Sequence, residues 1–242
     1  MRPGYPSALY DRIIDCGDLT ASADALEVGV GTGKATLPLA ERGFRICGLE
    51  PGASLAAIAR ANLGHFPLVS IHTTSFEDWT VARGAFGLAF IAQAFHWLDP
   101  VRRLPKLAGA LRAGGVLAIF GNVPNVPDGP LRRDLDAFYA NRAPTLSARR
   151  DAANWYASAE SPVMLELRAS QAFCDTLFEV FDWRCSLTAA SYCALLATYS
   201  DHSTLPATEL TALLASVAEV IDSHGGAVPL CYKTGLFLAR AV

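Results

Sequence analysis

Three glycines spaced two apart, Gly29, Gly31 and Gly33, stand between an apolar run (Leu26, Val28, Val30) and a helix-like run from Lys34 to Arg42. Without a Cβ, such a turn takes left-handed backbone angles and lets a ligand lie against bare main chain. A turn that feeds a helix start also offers free N–H groups to anionic or polar atoms. Two acids flank it. Glu27 precedes the loop, and Glu50 ends the next apolar run, Arg45 to Leu49, where a carboxylate accepts hydrogen bonds from ribose hydroxyls. The chemistry is the holding of a nucleoside-bearing ligand. Close strand–helix packing is the other use of three such glycines, and the acid at the right distance favours the ligand.

A second group, Gln93-Ala94-Phe95-His96-Trp97, closes the apolar run Phe86 to Ala94. That run reads as a central parallel strand covered on both faces. Ligands of open α/β sheets bind at the carboxyl ends of strands, so these residues face a cleft. The imidazole of His96 titrates near neutrality and suits a base, or a group that orients an anion, with Trp97 as an aromatic wall. Both residues as packing at a strand end is the alternative. Two further polar clusters follow other elements: Ser75-Phe76-Glu77-Asp78-Trp79 after the run Leu68 to Thr74, and Thr198-Tyr199-Ser200-Asp201-His202 after a helical run.

The elements that must position these residues alternate strictly between positions 25 and 122. Strand, glycine turn, helix and strand are followed by Pro51-Gly52 and an alanine-rich helix from about Leu55 to Leu63 with Ser54 as its cap. A third strand precedes Ser75, and a fourth ends at Ala94. Asp99-Pro100 starts a helix to about Leu111, with Pro105 costing it a kink or a late start. Arg112-Ala113-Gly114-Gly115 supplies its C-cap and Val116 to Phe120 a fifth strand. This order predicts an α/β fold with a parallel sheet, right-handed crossovers and helices on both faces. Before it, Arg2-Pro3-Gly4-Tyr5-Pro6 leads into a helix from Ser7 to about Cys16, so residues 1–20 brace or cover the rest. After it, residues 123–171 break the pattern, with an amphipathic helix from Leu131 to Asn141 and arginines at 142, 149 and 150. They suit a substrate lid or a dimer surface equally. A sixth strand (Glu179 to Thr188), helices from about Ala190 to Tyr199 and Glu209 to His224 with Thr208 as a cap, and a last strand (Val228 to Ala239) complete one domain over 1–242.

A dinucleotide fingerprint would need its third glycine at position 34, which is lysine. The string Glu27-Val28-Gly29-Val30-Gly31-Thr32-Gly33 instead resembles the first motif of the class I S-adenosylmethionine-dependent methyltransferases. "Ala-Phe-His-Trp" at 94–97 resembles the fourth motif of relatives of trans-aconitate methyltransferase, and "Leu-Arg-Ala-Gly-Gly-Val-Leu" at 111–117 the family's version of that corner. The resemblance implies a Rossmann-like, seven-stranded, mostly parallel sheet with a last antiparallel strand. It also implies S-adenosyl-L-methionine as cofactor, with Glu27 near the cofactor's amino acid part and Glu50 and Pro51 at its ribose. Ser75, Phe76 and Glu77 fall at the adenine, while Gln93 and Ala94 line the fourth strand end and Tyr5 belongs to a segment closing over the cofactor. Tyr199 and His202 fall on a substrate-side loop, for which an ordinary helix end is an equal reading. The Asn/Asp-Pro-Pro-aromatic signature of amino-group methyltransferases acting on nucleobases is absent.

A net charge of -3 and a pI near 5.9 over 242 residues argue against a nucleic-acid partner, which would need a basic face. No apolar run reaches the roughly 18 residues that span a bilayer. The six cysteines form no Cys-x-x-Cys pair, and the five histidines make no ligand cluster with them. These features imply a cytoplasmic protein without a metal, and the resemblance implies a monomer or homodimer acting on a small-molecule methyl acceptor. Methyl transfer demands positioning above all, so a strong cofactor half beside a chemically quiet remainder suits an enzyme that methylates a carboxylate or hydroxyl. A cofactor-binding regulatory protein without catalysis is the alternative. A nicotinamide-dependent oxidoreductase is a third reading, disfavoured by Lys34.

Overall fold

The computed structural model describes residues 2–21, 23–80, 82–146, 156–199 and 201–242; Arg149, Arg150 and Ser200 lie outside them. In chain order the elements are α1 (Ser7–Gly17), β1 (Asp24–Val28), α2 (Thr36–Glu41), β2 (Arg45–Leu49), α3 (Ala53–Leu63), β3 (Val69–His72) and β4 (Phe86–Ala92). They continue with α4 (Arg103–Ala110), β5 (Leu111–Asn125), α5 (Pro130–Arg142), α6 (Pro162–Ala169), β6 (Phe173–Thr188), α7 (Ala189–Leu196), α8 (Ala207–Ser223) and β7 (Ala227–Ala241). The seven strands form one sheet in the order β3-β2-β1-β4-β5-β7-β6. Parallel pairing runs from β3 to β5, and the last strands are antiparallel. The order reverses at β1, which lies between β2 and β4, and a reversal of this kind opens a crevice at the carboxyl ends of the strands. Among the described residues no helix is long and apolar enough to cross a membrane.

The chain divides into two compact units. One comprises Gly4–Asn122, Trp155–Phe181 and Thr234–Val242, and the other Met1–Pro3, Val123–Asn154 and Asp182–Lys233, so the division falls inside β5, β6 and β7. In the first unit Leu9, Tyr10 and Ile13 of α1 join Leu39, Phe44, Ile46, Leu88, Phe90, Val116, Phe120 and Leu236 in one buried cluster. Side chains of this size each gain about 1.5–3 kcal/mol on full burial, which fixes the strands whose ends carry the polar residues. In the second unit Leu135 and Tyr139 of α5 pack with Tyr192, Leu195, Val217, Ile221 and Tyr232. There the ring of Trp183 stacks on Tyr232 at 4.3 Å.

At α4 the structure shows the late start that Pro105 allowed, and several other local expectations are corrected. Helix α4 starts late, at Arg103, which leaves Pro105 in its first turn where a missing N–H costs nothing. The glycine corner after it is no helix cap. Leu111 is already extended and pairs with Phe86, while Leu88 pairs with Val116, so residues 112–115 form an irregularity within β5 that Gly114 permits at φ +71°. Neither Ser54 nor Thr208 caps its helix. The N-cap positions are Gly52 and Pro206, with no side-chain hydrogen bond. Thr188 performs that role for α7 instead, accepting from the Ser191 N–H at 3.2 Å.

Candidate active site

All three loop glycines have positive φ: 80° at Gly29, 60° at Gly31 and 87° at Gly33. They differ in what surrounds them. A Cβ on Gly29 would meet the Cβ of Ala94 at 2.5 Å, and one on Gly33 would meet Leu63 at 2.8 Å, whereas one on Gly31 would meet nothing within 4 Å. Gly29 and Gly33 therefore let β4 and α3 approach the loop, and Gly31 faces open space. The loop is held from both sides. The N–H groups of Gly29 and Val30 donate to the Leu49 carbonyl at 2.9 and 3.1 Å. Glu50, 6% exposed, accepts from the Gly31 N–H through Oε2 and from the Gly52 N–H through Oε1, both at 2.8 Å. Each carboxylate oxygen keeps a second lone pair after these bonds.

Beneath the loop lies Glu27, fully buried on β1. Its Oε2 accepts from the Thr36 hydroxyl at 2.6 Å, and its Oε1 has no hydrogen-bond partner. Burial pushes the carboxyl up to about 8, against the pull of the Thr36 bond and with a smaller push from Glu50. A buried polar atom without a partner costs about 1–3 kcal/mol. The structure retains that cost at the start of the glycine loop, where a cationic or hydrogen-bonding ligand group would relieve it.

Gln93 follows β4 with a left-handed φ of 54°, a strained angle for this residue type. It is tied on three sides. Its N–H donates to the Phe120 carbonyl at 2.9 Å, Nε2 donates to the Asn122 carbonyl at 3.2 Å, and Oε1 accepts from the Tyr5 hydroxyl at 3.3 Å. Asn122 in turn donates to the Gly4 carbonyl at 2.9 Å and accepts from the Thr234 hydroxyl at 2.6 Å. The segment around Tyr5 is thus pinned to the ends of β4 and β5, with the Tyr5 ring edge-on to Phe120 at 4.8 Å.

In the loop after β3 the side chains are engaged locally. Ser75 donates to Asp78 Oδ2 at 2.7 Å and accepts from its N–H at 3.1 Å. Phe76 is buried with the Lys106 ammonium 5.1 Å from its ring centre, and Glu77 Oε1 accepts from the Asp99 N–H at 3.1 Å. These bonds connect the third strand end to the turn before α4. Pro51 is exposed.

His96 occupies a single 3-10 turn, Phe95–Trp97. Phe95 is fully buried and anchors it, whereas Trp97 is 72% exposed, its ring 4.9 Å from that of His96. The Arg103 guanidinium, 6% exposed, lies 4.0 Å from the Phe95 ring, donates to the Phe95 carbonyl at 2.9 Å and pairs with Glu166. His96 Nδ1 is 3.4 Å from the Tyr156 hydroxyl. In the other unit Tyr199 is half-buried beside His202, which is 2% exposed. His202 bonds through Nδ1 to Asp201 at 2.8 Å and through Nε2 to the Tyr139 hydroxyl at 2.9 Å.

Thr36, Asn122 and Tyr156 escaped the sequence reading. Asn122 carried a signal, a polar residue directly after the apolar run that ends β5. Thr36 and Tyr156 carried none, because their roles depend on which strands lie beside them.

The fold has counterparts. Residues 26–119 match the family described as methyltransferase domain. A protein of Mycobacterium tuberculosis named only as a methyltransferase is 28% identical over 185 residues, which is 72% of this chain and 73% of that protein. Trans-aconitate 2-methyltransferase of Deinococcus radiodurans is 33% identical over 98 residues, 40% of this chain and 37% of that enzyme. Among solved structures, a protein of Anaeromyxobacter dehalogenans assigned provisionally to the type II methyltransferases superposes with a TM-score of 0.66 at 21% identity, over 99% of this chain and 98% of that one. Residues 26–119 thus match a methyltransferase domain, and the chain as a whole shares its fold with a solved protein of that kind.

Proposed function

We propose that the protein transfers a methyl group from S-adenosyl-L-methionine to a small-molecule oxygen nucleophile, a carboxylate or a hydroxyl, by in-line displacement. The observation that carries the cofactor half is the unpartnered Oε1 of buried Glu27 beneath a glycine loop that is open at Gly31. Glu27 would take the cofactor's ammonium. Glu50, already fixed by two N–H groups, would offer its remaining lone pairs to the ribose hydroxyls, with Pro51 beside it, while Val30 and the three glycines supply the backbone wall. Ser75, Phe76 and Glu77 would flank the adenine, and Gln93, Ala94 and Tyr5 would close the methionine end. S-adenosyl-L-methionine supplies a methyl group on a sulfonium, and the remaining task of the chain is to aim an acceptor at about 3–3.5 Å on the side opposite the sulfur.

The oxygen acceptor is supported by His96 at the end of β4, by the exposed ring of Trp97 next to it, and by the trans-aconitate enzyme among the relatives. Tyr199 and His202 belong to this proposal as substrate-side residues, as does one domain over 1–242 with a cover at 1–20 and a lid or substrate region at 123–171. A reducing, cytoplasmic setting is supported by the six free cysteines. Calorimetry with S-adenosylhomocysteine and with NAD tests the cofactor, and labelled methyl transfer into small acids and phenols tests the acceptor. Micromolar NAD binding with no response to S-adenosylhomocysteine would end the proposal.

A further inference from the structure

Tyr156 sits in a seat built for it. A Cβ on Gly121 of β5 would lie 2.6 Å from the Tyr156 ring, and one on Gly235 of β7 would overlap the Tyr156 carbonyl, so both strands leave out a side chain where this residue rests. The ring also contacts Phe237, centroid to centroid at 6.5 Å, and the residue is 5% exposed. Burial pushes its phenol well above the ordinary range, which keeps the hydroxyl protonated. A buried hydroxyl that keeps its proton needs an acceptor for it. The acceptor within reach is His96 Nδ1 at 3.4 Å.

A neutral imidazole carries its one proton on the nitrogen that is not accepting. We propose that Tyr156 is a positioning residue that holds His96 as its Nε2-protonated tautomer, so that His96 meets the methyl acceptor as a hydrogen-bond donor and not as a base. This rests on the methyltransferase reading above and sharpens the acceptor. In the transfer a bond forms between the acceptor oxygen and the methyl carbon, the carbon–sulfur bond breaks and its electron pair stays on sulfur. A hydroxyl would also have to release a proton, and an imidazole already protonated at Nε2 has no lone pair there to receive it. A carboxylate releases none, and an N–H donor matches its oxygen. The Arg103 guanidinium, held between Phe95 and Glu166, fixes the turn that carries His96.

The test is nitrogen-15 NMR of the histidine rings in the full-length protein at about pH 8.5, where imidazoles are neutral, with His96 assigned by loss of its signals in His96→Gln. The wild type is expected to show protonated Nε2 and unprotonated Nδ1. Tyr156→Phe, which keeps the ring in its seat, is expected to move the population several-fold toward the Nδ1-protonated form. In the presence of S-adenosylhomocysteine, benzoate is expected to shift the His96 Nε2 resonance and benzyl alcohol to leave it in place. A wild-type His96 protonated at Nδ1, or a Tyr156→Phe spectrum identical to wild type, overturns the role of Tyr156. A response to benzyl alcohol equal to that to benzoate, or none to benzoate, overturns the carboxylate acceptor. Failure of S-adenosylhomocysteine to bind removes the methyltransferase reading and the acceptor with it, while the tautomer result stands or falls separately.

Discussion

Glu27→Gln separates the stability of the glycine loop from its use. In the unfolded chain the Glu27 carboxyl titrates at its ordinary value, about 4.3. In the folded protein burial raises it to about 8. Between these values the folded state holds a proton that the unfolded state has released, so stability falls as pH rises through that window and is level on either side. A shift of this size corresponds to about 5 kcal/mol lost by pH 8–9, at 1.36 kcal/mol per pH unit. The groups facing Glu27 do not reverse the sign: Thr36 on α2 lowers the value less than burial raises it, and Glu50 at the end of β2 adds to the rise. Glutamine keeps the shape and the Thr36 bond, and it cannot ionise. Urea denaturation at about pH 5.5, 7 and 8.5 should show the variant close to wild type at the lowest pH and more stable by a few kcal/mol at the highest. Calorimetry should show affinity for S-adenosylhomocysteine reduced at least tenfold at pH 8.5, where the wild-type Glu27 is ionised and the ammonium loses a carboxylate partner, and by less at pH 5.5, where the wild-type side chain is itself protonated. A wild type whose stability does not fall between pH 5.5 and 8.5 would refute the buried-acid reasoning, and unchanged affinity in the variant would refute its role toward the ligand.

Other perturbations divide the site in the same way. Gly31→Ala meets no neighbour but stands at positive φ, so denaturation should show a loss of about 1–2 kcal/mol while calorimetry shows S-adenosylhomocysteine binding nearly abolished. Gly29→Ala should unfold more readily than Gly31→Ala, because its Cβ meets Ala94, and equal melting temperatures would contradict that packing. Glu50→Ala frees the N–H groups of Gly31 and Gly52 and should weaken S-adenosylhomocysteine by about 1.5–3 kcal/mol, read from the change in Kd. Arg103→Met leaves Glu166 without its partner and should cost about 3 kcal/mol in urea denaturation, with a loss under 0.5 kcal/mol showing the pair to be a surface contact.

The glycine spacing and the two acids were legible because turn chemistry is local. A left-handed angle favours glycine wherever it occurs, and a strand–turn–helix–strand unit is short enough for its hydrophobic pattern to be read. The same local patterns yielded the parallel order from β1 to β5. They failed at element ends, as at Leu111, where pairing with Phe86 extends β5 backwards past the glycine corner. They also failed for caps, because Ser54 and Thr208 lie inside helices that begin one turn or less before them.

The sequence by itself determined the sheet's first half, the glycine loop and the candidacy of His96, since each depends on residues within about twenty positions of one another. Only the tertiary structure decided that Gly31 alone of the three glycines faces open space, that Glu27 keeps an oxygen without a partner, and that Tyr156 lies against His96. The physical reason is distance along the chain. The seat of Tyr156 is made by Gly121 and Gly235 on β5 and β7, and no periodicity within a segment records which side chains a neighbouring strand has left out.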